Sequence, residues 1–275
     1  ELRDRFGVTV VRASKEELCA LRDAIPAQAV QKEMALDRER GVCLQEFAPE
    51  VHEQTAKSCL TLRRWLEKEQ LNAFTVNFRA VGPETGLAVM PFMEACKAME
   101  RGLGYAGEGD VLSAAFAGAL IAGFETAAFV EIFCPDWQGG RLLLSHMGEM
   151  NYGLLAGRPE LKAMPFVFGE AGDPVVGYGC YRAGSAVFVN IFRDERGFRL
   201  LAAPVDMEEP EGDDRFVGNV RGWMKPQVPL ERFLERLSEA GATHHSILVY
   251  GAAVEQLRFF AELLDIPVTV VSADE

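Results

Sequence analysis

Few side chains in this sequence are placed to do chemistry, so each can be weighed by itself. The chain has four histidines. His146 follows the apolar run Leu142-Leu143-Leu144-Ser145, His244 and His245 open another strand-like segment, and His52 stands in a long helical pattern with no partner nearby. Glu131 interrupts the apolar stretch Ala127–Phe133. A carboxylate there is costly unless it is paired, binds a metal or faces water at a sheet edge. Glu108 and Asp110 flank Gly109 at a strand–helix junction, the kind of crevice where ligands gather in α/β sheets. Their plainer role is negative charge at a helix N-terminus, with Asp110 as the N-cap. Two carboxylates and two separate histidine positions together form an oxygen–nitrogen donor set suited to manganese, magnesium or cobalt. The lack of thiols in that set argues against a structural zinc cage. Spacing along the chain leaves open whether these residues meet.

The elements that must carry them divide into two textures. In the first part β and α signals alternate. A short strand is expected over Phe6–Val11, helices over 15–25, 28–40 and 49–70, a buried strand over Asn72–Phe78 and a helix over 89–101. The glycine-rich loop Gly102–Gly107 then leads into an Ala-rich helix ending near Gly123. Such alternation implies a Rossmann-like, partial α/β domain with a mostly parallel sheet. Beyond residue 125 short β segments follow one another over 126–133, 141–147, 163–168, 175–182, 186–193 and 198–203, punctuated by Gly, Pro and Asp. That pattern predicts an antiparallel, barrel-like domain, closed by helices over 230–240 and 254–264 and a strand over 266–271. The expected organisation is an α/β domain over 1–125 carrying Glu108, and a β-barrel-like domain with helices over 126–275 carrying the other candidates.

Composition removes several classes of function. Hydrophobic residues make up 49% of the 275, with 18 Phe, enough apolar material to exclude disorder. The longest apolar stretch, Val111–Phe124, is too short for a membrane span. Asp and Glu outnumber Lys and Arg by 41 to 28, for a formal charge of −13, which would repel a phosphate backbone. Nucleic acid and membrane are therefore not expected partners. Six scattered Cys without a paired spacing read as reduced thiols of a cytoplasmic protein. The string from Gly102 to Gly107 has the GxGxxG spacing, but Glu108 follows and no acidic ribose reader stands in the right context, so NAD is not expected. The acidic run Glu208–Asp214 reads as a solvated loop. With no initiator Met ahead of Glu1, the sequence reads as starting inside a longer protein.

Four strings combine these residues in a familiar order: Tyr105-Ala106-Gly107-Glu108-Gly109-Asp110, Phe129-Val130-Glu131, Ser145-His146-Met147-Gly148-Glu149 and His244-His245. From about Phe6 to Asp274 the chain resembles the L-arabinose isomerase family, related to the L-fucose isomerases. The resemblance implies that Glu108, Glu131, His146 and His245 hold one divalent ion, usually manganese, with cobalt or magnesium as substitutes. It implies that Glu108 and Glu131 are also the acid/base pair moving protons between C1 and C2 of a small sugar. It places Phe78 in the sugar pocket; because neighbouring strand side chains face opposite ways, His244 is then expected as support or pocket wall. It further implies a homo-oligomer, trimer or hexamer, in which an N-terminal domain missing here completes a neighbour's pocket. Residues 132–140 and 150–160 depart from the family pattern, which bears on the identity of the sugar. Two other readings stand beside an aldose–ketose isomerase: a non-catalytic sugar-binding or regulatory homologue, and an isomerase or epimerase of a different sugar. A phosphorylated substrate would call for cations near the motifs, where only Arg101 and Arg141 qualify.

Overall fold

A computed structural model describes residues 1–124, 126–210 and 212–273. Helix α1 covers Leu2–Phe6, α2 Lys15–Asp23, α3 Ala27–Arg40 and α4 Pro49–Lys68, with the two-residue strand β1 at Val42–Cys43. The Ser14 side chain accepts from the Glu17 N–H at 3.1 Å and starts α2, while Pro at the first position of α4 supplies a preset φ where no donor is needed. Strand β2 (Ala73–Thr75), α5 (Phe92–Glu100), β3 (Gly104–Ala106) and α6 (Val111–Phe124) complete this half. β2 and β3 pair in parallel, as a helical crossover requires. Two glycines let α6 lie directly on β3, since a Cβ at Gly104 would fall 2.2 Å from the Gly118 nitrogen.

Two expectations for this half need correction. Phe6–Val11 is not a strand: Phe6 ends α1, and among the described residues no strand pairs with the extended run that follows. The buried strand over Asn72–Phe78 shrinks to β2, because the Asn77 side chain accepts from the Arg79 N–H and turns Phe78–Ala80 into a single 3-10 turn.

The second half is built from β4 (Ala127–Asp136), β5 (Arg141–Leu144), β6 (Glu160–Ala163), β7 (Val175–Cys180), β8 (Gly184–Asp194), β9 (Gly197–Glu208), β10 (Val220–Pro226), α7 (Leu230–Ala240), β11 (His245–Tyr250), α8 (Val254–Leu263) and β12 (Val268–Val270). Six of these strands, in the order β4-β5-β10-β9-β8-β11, close on themselves as an antiparallel barrel. The barrel-like expectation holds, within an α/β chain. β11 is buried on every residue and β8 through its middle, Ala186–Phe192, because the barrel interior covers one face and helices such as α6 the other. The strand expected over 163–168 instead lies at β6. The Phe166 N–H is taken by the Asp173 side chain rather than by a neighbouring strand. The acidic run is only partly a solvated loop: Glu208 ends β9, and Asp214 accepts from the buried Arg221 at 2.5 Å. Residue 125, the expected domain boundary, Glu211 of the acidic run and Asp274, the end of the resembling stretch, lie outside the described residues.

His52 is not partnerless. It is fully buried in α4, with its Nε2 3.2 Å from Asp37 of α3. Asp37 also holds Lys97 of α5, and Glu33 bridges Lys97 (2.7 Å) to Arg63 of α4 (2.7 Å). Arg63 in turn grips the fully buried Glu94 at 2.6 Å, so ion pairs tie α3, α4 and α5 together. Burial opposes ionisation of Glu33, but Arg63 and Lys97 outweigh it and bring the carboxyl from 4.5 down to about 2. The charged form therefore stabilises the fold in full above the usual carboxylate range, and that contribution, on the order of 3 kcal/mol, is lost as pH falls toward the folded value. Glu33→Gln is expected to lower the melting temperature at neutral pH. It should also flatten the pH dependence between 4.5 and about 2, which thermal melts across that range would read.

Candidate metal centre

The site forms where the β3–α6 loop meets the mouth of the barrel. Strand alternation sends Phe129 and Glu131 of β4 to one face, and antiparallel register sets Glu131 directly opposite His245 of β11. His146 arrives from the segment after β5, two residues past the strand end, where the Ser145 N–H still donates to the Glu131 carbonyl at 3.1 Å. The Phe129 ring lies edge-on beneath both imidazoles, 5.1 Å from His146 and 5.0 Å from His245 between centroids, and gives them an apolar floor. Glu108 approaches from the other side at φ 62°, an uncommon left-handed conformation for a side-chain-bearing residue. Gly107 beside it sits tightly against the site, since a Cβ there would lie 3.1 Å from His146 Cε1 and would press on that ring.

The expected residues come together in two overlapping sets that share His245. Glu131, His146 and His245 present ligand atoms all within 4.8 Å of one another, as do Glu108, His244 and His245. His146 Nε2 is 3.3 Å from Glu131 Oε2, and His245 Nε2 is 3.7 Å from Glu108 Oε2. Phe78 stands beside this set rather than in it. Its ring packs on Phe168 (6.0 Å), while the adjacent Asn77 borders Gly109 of the Glu108 loop. Strand alternation predicts that only one of His244 and His245 can reach the site. However, His244 lies in a bend just before β11, where alternation does not yet apply, and its Nε2 comes within 3.6 Å of Glu108 Oε2. The two differ in burial: His245 is 3% exposed, whereas His244 is open to solvent.

Each buried imidazole is held from behind by a carboxylate. His245 Nδ1 is 2.8 Å from Asp110 Oδ2, and His146 Nδ1 is 2.6 Å from Glu149 Oε2. Glu149 is itself buried and receives the Tyr105 hydroxyl at 2.7 Å and the Gly148 N–H at 3.0 Å. Burial and the neighbouring Glu149 charge push the Tyr105 phenol well above its ordinary value, so it stays a donor. Burial disfavours charge on His146, yet Glu149, Glu131 and Glu108 together lift it to about 9. For Asp110, burial is outweighed by hydrogen bonds from His245 and Ser113, which hold its carboxyl below the usual range. Asp110 does double work here: Oδ1 caps α6 through the Ser113 N–H (2.9 Å) while Oδ2 steadies His245. Its capping role is legible in the sequence. Its second role and that of Glu149 are not, although a carboxylate three residues after a candidate histidine is a signal that could have pointed to Glu149.

This arrangement fits a divalent cation. With Nδ1 engaged, each ring directs Nε2 toward the carboxylates, and His245 Nε2 is buried with no hydrogen-bond partner among the described residues. An imidazole-and-carboxylate donor set suits manganese, cobalt or magnesium. Asp110→Asn and Glu149→Gln are each expected to weaken manganese affinity by about 10–100-fold in a direct titration, by loosening a ligand they do not replace. His245→Ala should cost more than His244→Ala; abolition by His244→Ala with normal affinity in His245→Ala would reverse the assignment.

Comparison with known proteins matches both halves. A family model described as the L-arabinose isomerase central domain covers residues 1–122, and one described as the L-arabinose isomerase C-terminal domain covers 126–267. The L-arabinose isomerase of Leuconostoc mesenteroides is 30% identical over 213 residues, spanning 75% of this chain and 44% of the relative. That of Levilactobacillus brevis is 28% identical over 211 residues, spanning 74% and 44%. That of Aeromonas salmonicida is 27% identical over 287 residues, spanning 98% and 56%. The chain thus spans about half the length of the curated relatives it matches.

Proposed function

The chain belongs to the L-arabinose isomerase family, and on that footing we propose that it is the metal-holding, proton-transferring part of an aldose–ketose isomerase acting on a free sugar. The observation that carries this reading is that Glu108 and Glu131 both approach His245, Glu131 together with His146, and that the far nitrogens of these two imidazoles are already occupied by carboxylates. A binding module has no need of an acid/base pair built to this standard.

Glu108, Glu131, His146 and His245 would hold the cation, manganese by preference. When bound, such a cation supplies Lewis-acid polarisation of the sugar carbonyl and hydroxyl oxygens. One glutamate removes the C2 proton of the open-chain aldose, leaving an enediol, and returns a proton to C1. The other moves the balancing proton between O2 and O1, so the step neither gains nor loses atoms or electrons. Glu131 is half-buried on the barrel wall, while Glu108 is 39% exposed at its side chain on the opposing loop. Different surroundings of this kind allow two carboxylates to divide the acid and base roles. Asp110 and Glu149 keep the imidazoles in one orientation and take no proton from the sugar. Phe78 and Phe168 offer an apolar wall for sugar C–H groups. Arg101 and Arg141, the cations nearest the motifs in sequence, are already paired with Glu94 and Asp136, which favours a neutral sugar over a phosphorylated one. The homo-oligomeric state and the contribution of a further N-terminal domain belong to the same proposal.

Glu131→Gln tests the chemistry. It keeps one oxygen ligand and the shape, but removes the charge and the ability to accept a proton. In the longer protein, with the cation shown to be still bound, turnover of L-arabinose and related free aldoses is expected to fall about 10²–10⁴-fold. Sugar affinity should change far less. Near-normal turnover by the cation-loaded variant would reduce Glu131 to a ligand. No turnover of any aldose by the loaded wild type would favour the non-catalytic reading.

A further inference from the structure

Helix α6, with the sequence VLSAAFAGALIAGF, is hydrophobic on all sides, a pattern that belongs to a helix buried all round. It is not buried all round. Ala119 and Ala122 lie exposed and Ala115 partly so, along the floor of an open groove of about 670 Å³.

Both walls of that groove are extended backbone. One is Val8–Val11, whose valines Val10 and Val11 are 51% and 38% exposed. Among the described residues, no backbone N–H or C=O of Val8–Val11 makes a backbone hydrogen bond. The other wall is β2. The Gly104 N–H donates to the Asn72 carbonyl at 2.9 Å, which turns Asn72 and Phe74 toward β3. Strand geometry then points the N–H and C=O of Ala73 and Thr75 the other way, into the groove. Two rows of unpaired backbone groups thus face a common gap over an apolar helix, which is the template for one more strand. The chain runs from the first wall to the second through α2, α3 and α4, and a connection that skips one strand position is ordinary in doubly wound sheets.

We propose that this groove seats one β-strand, paired on one side to β2 and on the other to Val8–Val11, and that the occupant is the polypeptide preceding Glu1 in the protein to which this chain belongs. Three observations favour that source. The relatives are about twice as long as this chain, so they carry further polypeptide to supply it. The groove lies next to the first residues of the chain, so a preceding segment need only turn back. The floor of Ala and Gly accepts the valine- and isoleucine-rich side chains of a strand buried on both faces. The inference does not depend on the isomerase reading.

The test is amide hydrogen exchange, resolved to single residues, on the 275-residue chain and on the protein extended through the residues encoded ahead of Glu1. The Ala73 and Thr75 amides, and alternate amides of Val8–Val11, are expected to exchange at least about 100-fold more slowly in the longer form. Equal exchange in the two forms overturns the proposal. So does protection in the 275-residue chain that grows with protein concentration, because a second copy would then be the occupant. Ala119→Trp gives an independent check by filling the groove from its floor. It should lower the melting temperature of the longer protein by several degrees and leave the shorter chain unchanged; an equal effect on both also overturns the inference.

Discussion

Glu131 and His245 stand opposite each other because β4 and β11 pair antiparallel in one register. Side chains alternate along a strand, so a slip of one residue would turn Glu131 to the other face and bring Val130 or Ile132 in its place. The closed barrel forbids that slip. Each of its six strands is bonded on both sides, and moving one register would require moving all of them. The placement of Glu131 and His245 is therefore inherited from the barrel, while Glu108 comes from the loop between β3 and α6.

Two supports hold that loop in place. Asp110 links the start of α6 to His245, so the loop bearing Glu108 is fixed at its helical end. Glu149 and Tyr105 link β3, at the other end of the same loop, to His146. The loop between β3 and α6 is thus pinned at both ends to the very imidazoles that face Glu108. This accounts for a left-handed glutamate being tolerated there, since strain of this kind persists when the surroundings over-determine it.

Much of this was legible in the sequence, and the failures share a cause. Glu131 and His146 betrayed themselves by interrupting apolar runs, and Asp110 by preceding an Ala-rich helix. Apart from the short α1, the helices were read to within a few residues because their periodicity is local. What could not be read depended on partners far along the chain. His52 looked solitary because Asp37 sits on another helix, 15 residues away. Val8–Val11 has strand composition but, among the described residues, no neighbour to make it a strand. β10 went unseen because Gly222 and Pro226 punctuate it, although its partners β5 and β9 make it the strand that closes the barrel. The roles of Glu149 and Tyr105 likewise need the fold, which brings together residues 44 positions apart.

Barrel closure also bears on how such a chain stays in solution. The longest strands, β4, β8 and β9, at 10, 11 and 12 residues, would be hazardous at a sheet edge, where unpaired backbone invites another molecule to add on and aggregation to begin. All three are instead enclosed by neighbours on both sides. The strands left at the ends of the large sheet are β1 and β12, of two and three residues, too short to template an ordered stack. Together with a net charge of −13, which keeps copies apart, this leaves little purchase for self-association through strand edges in the barrel half of the molecule.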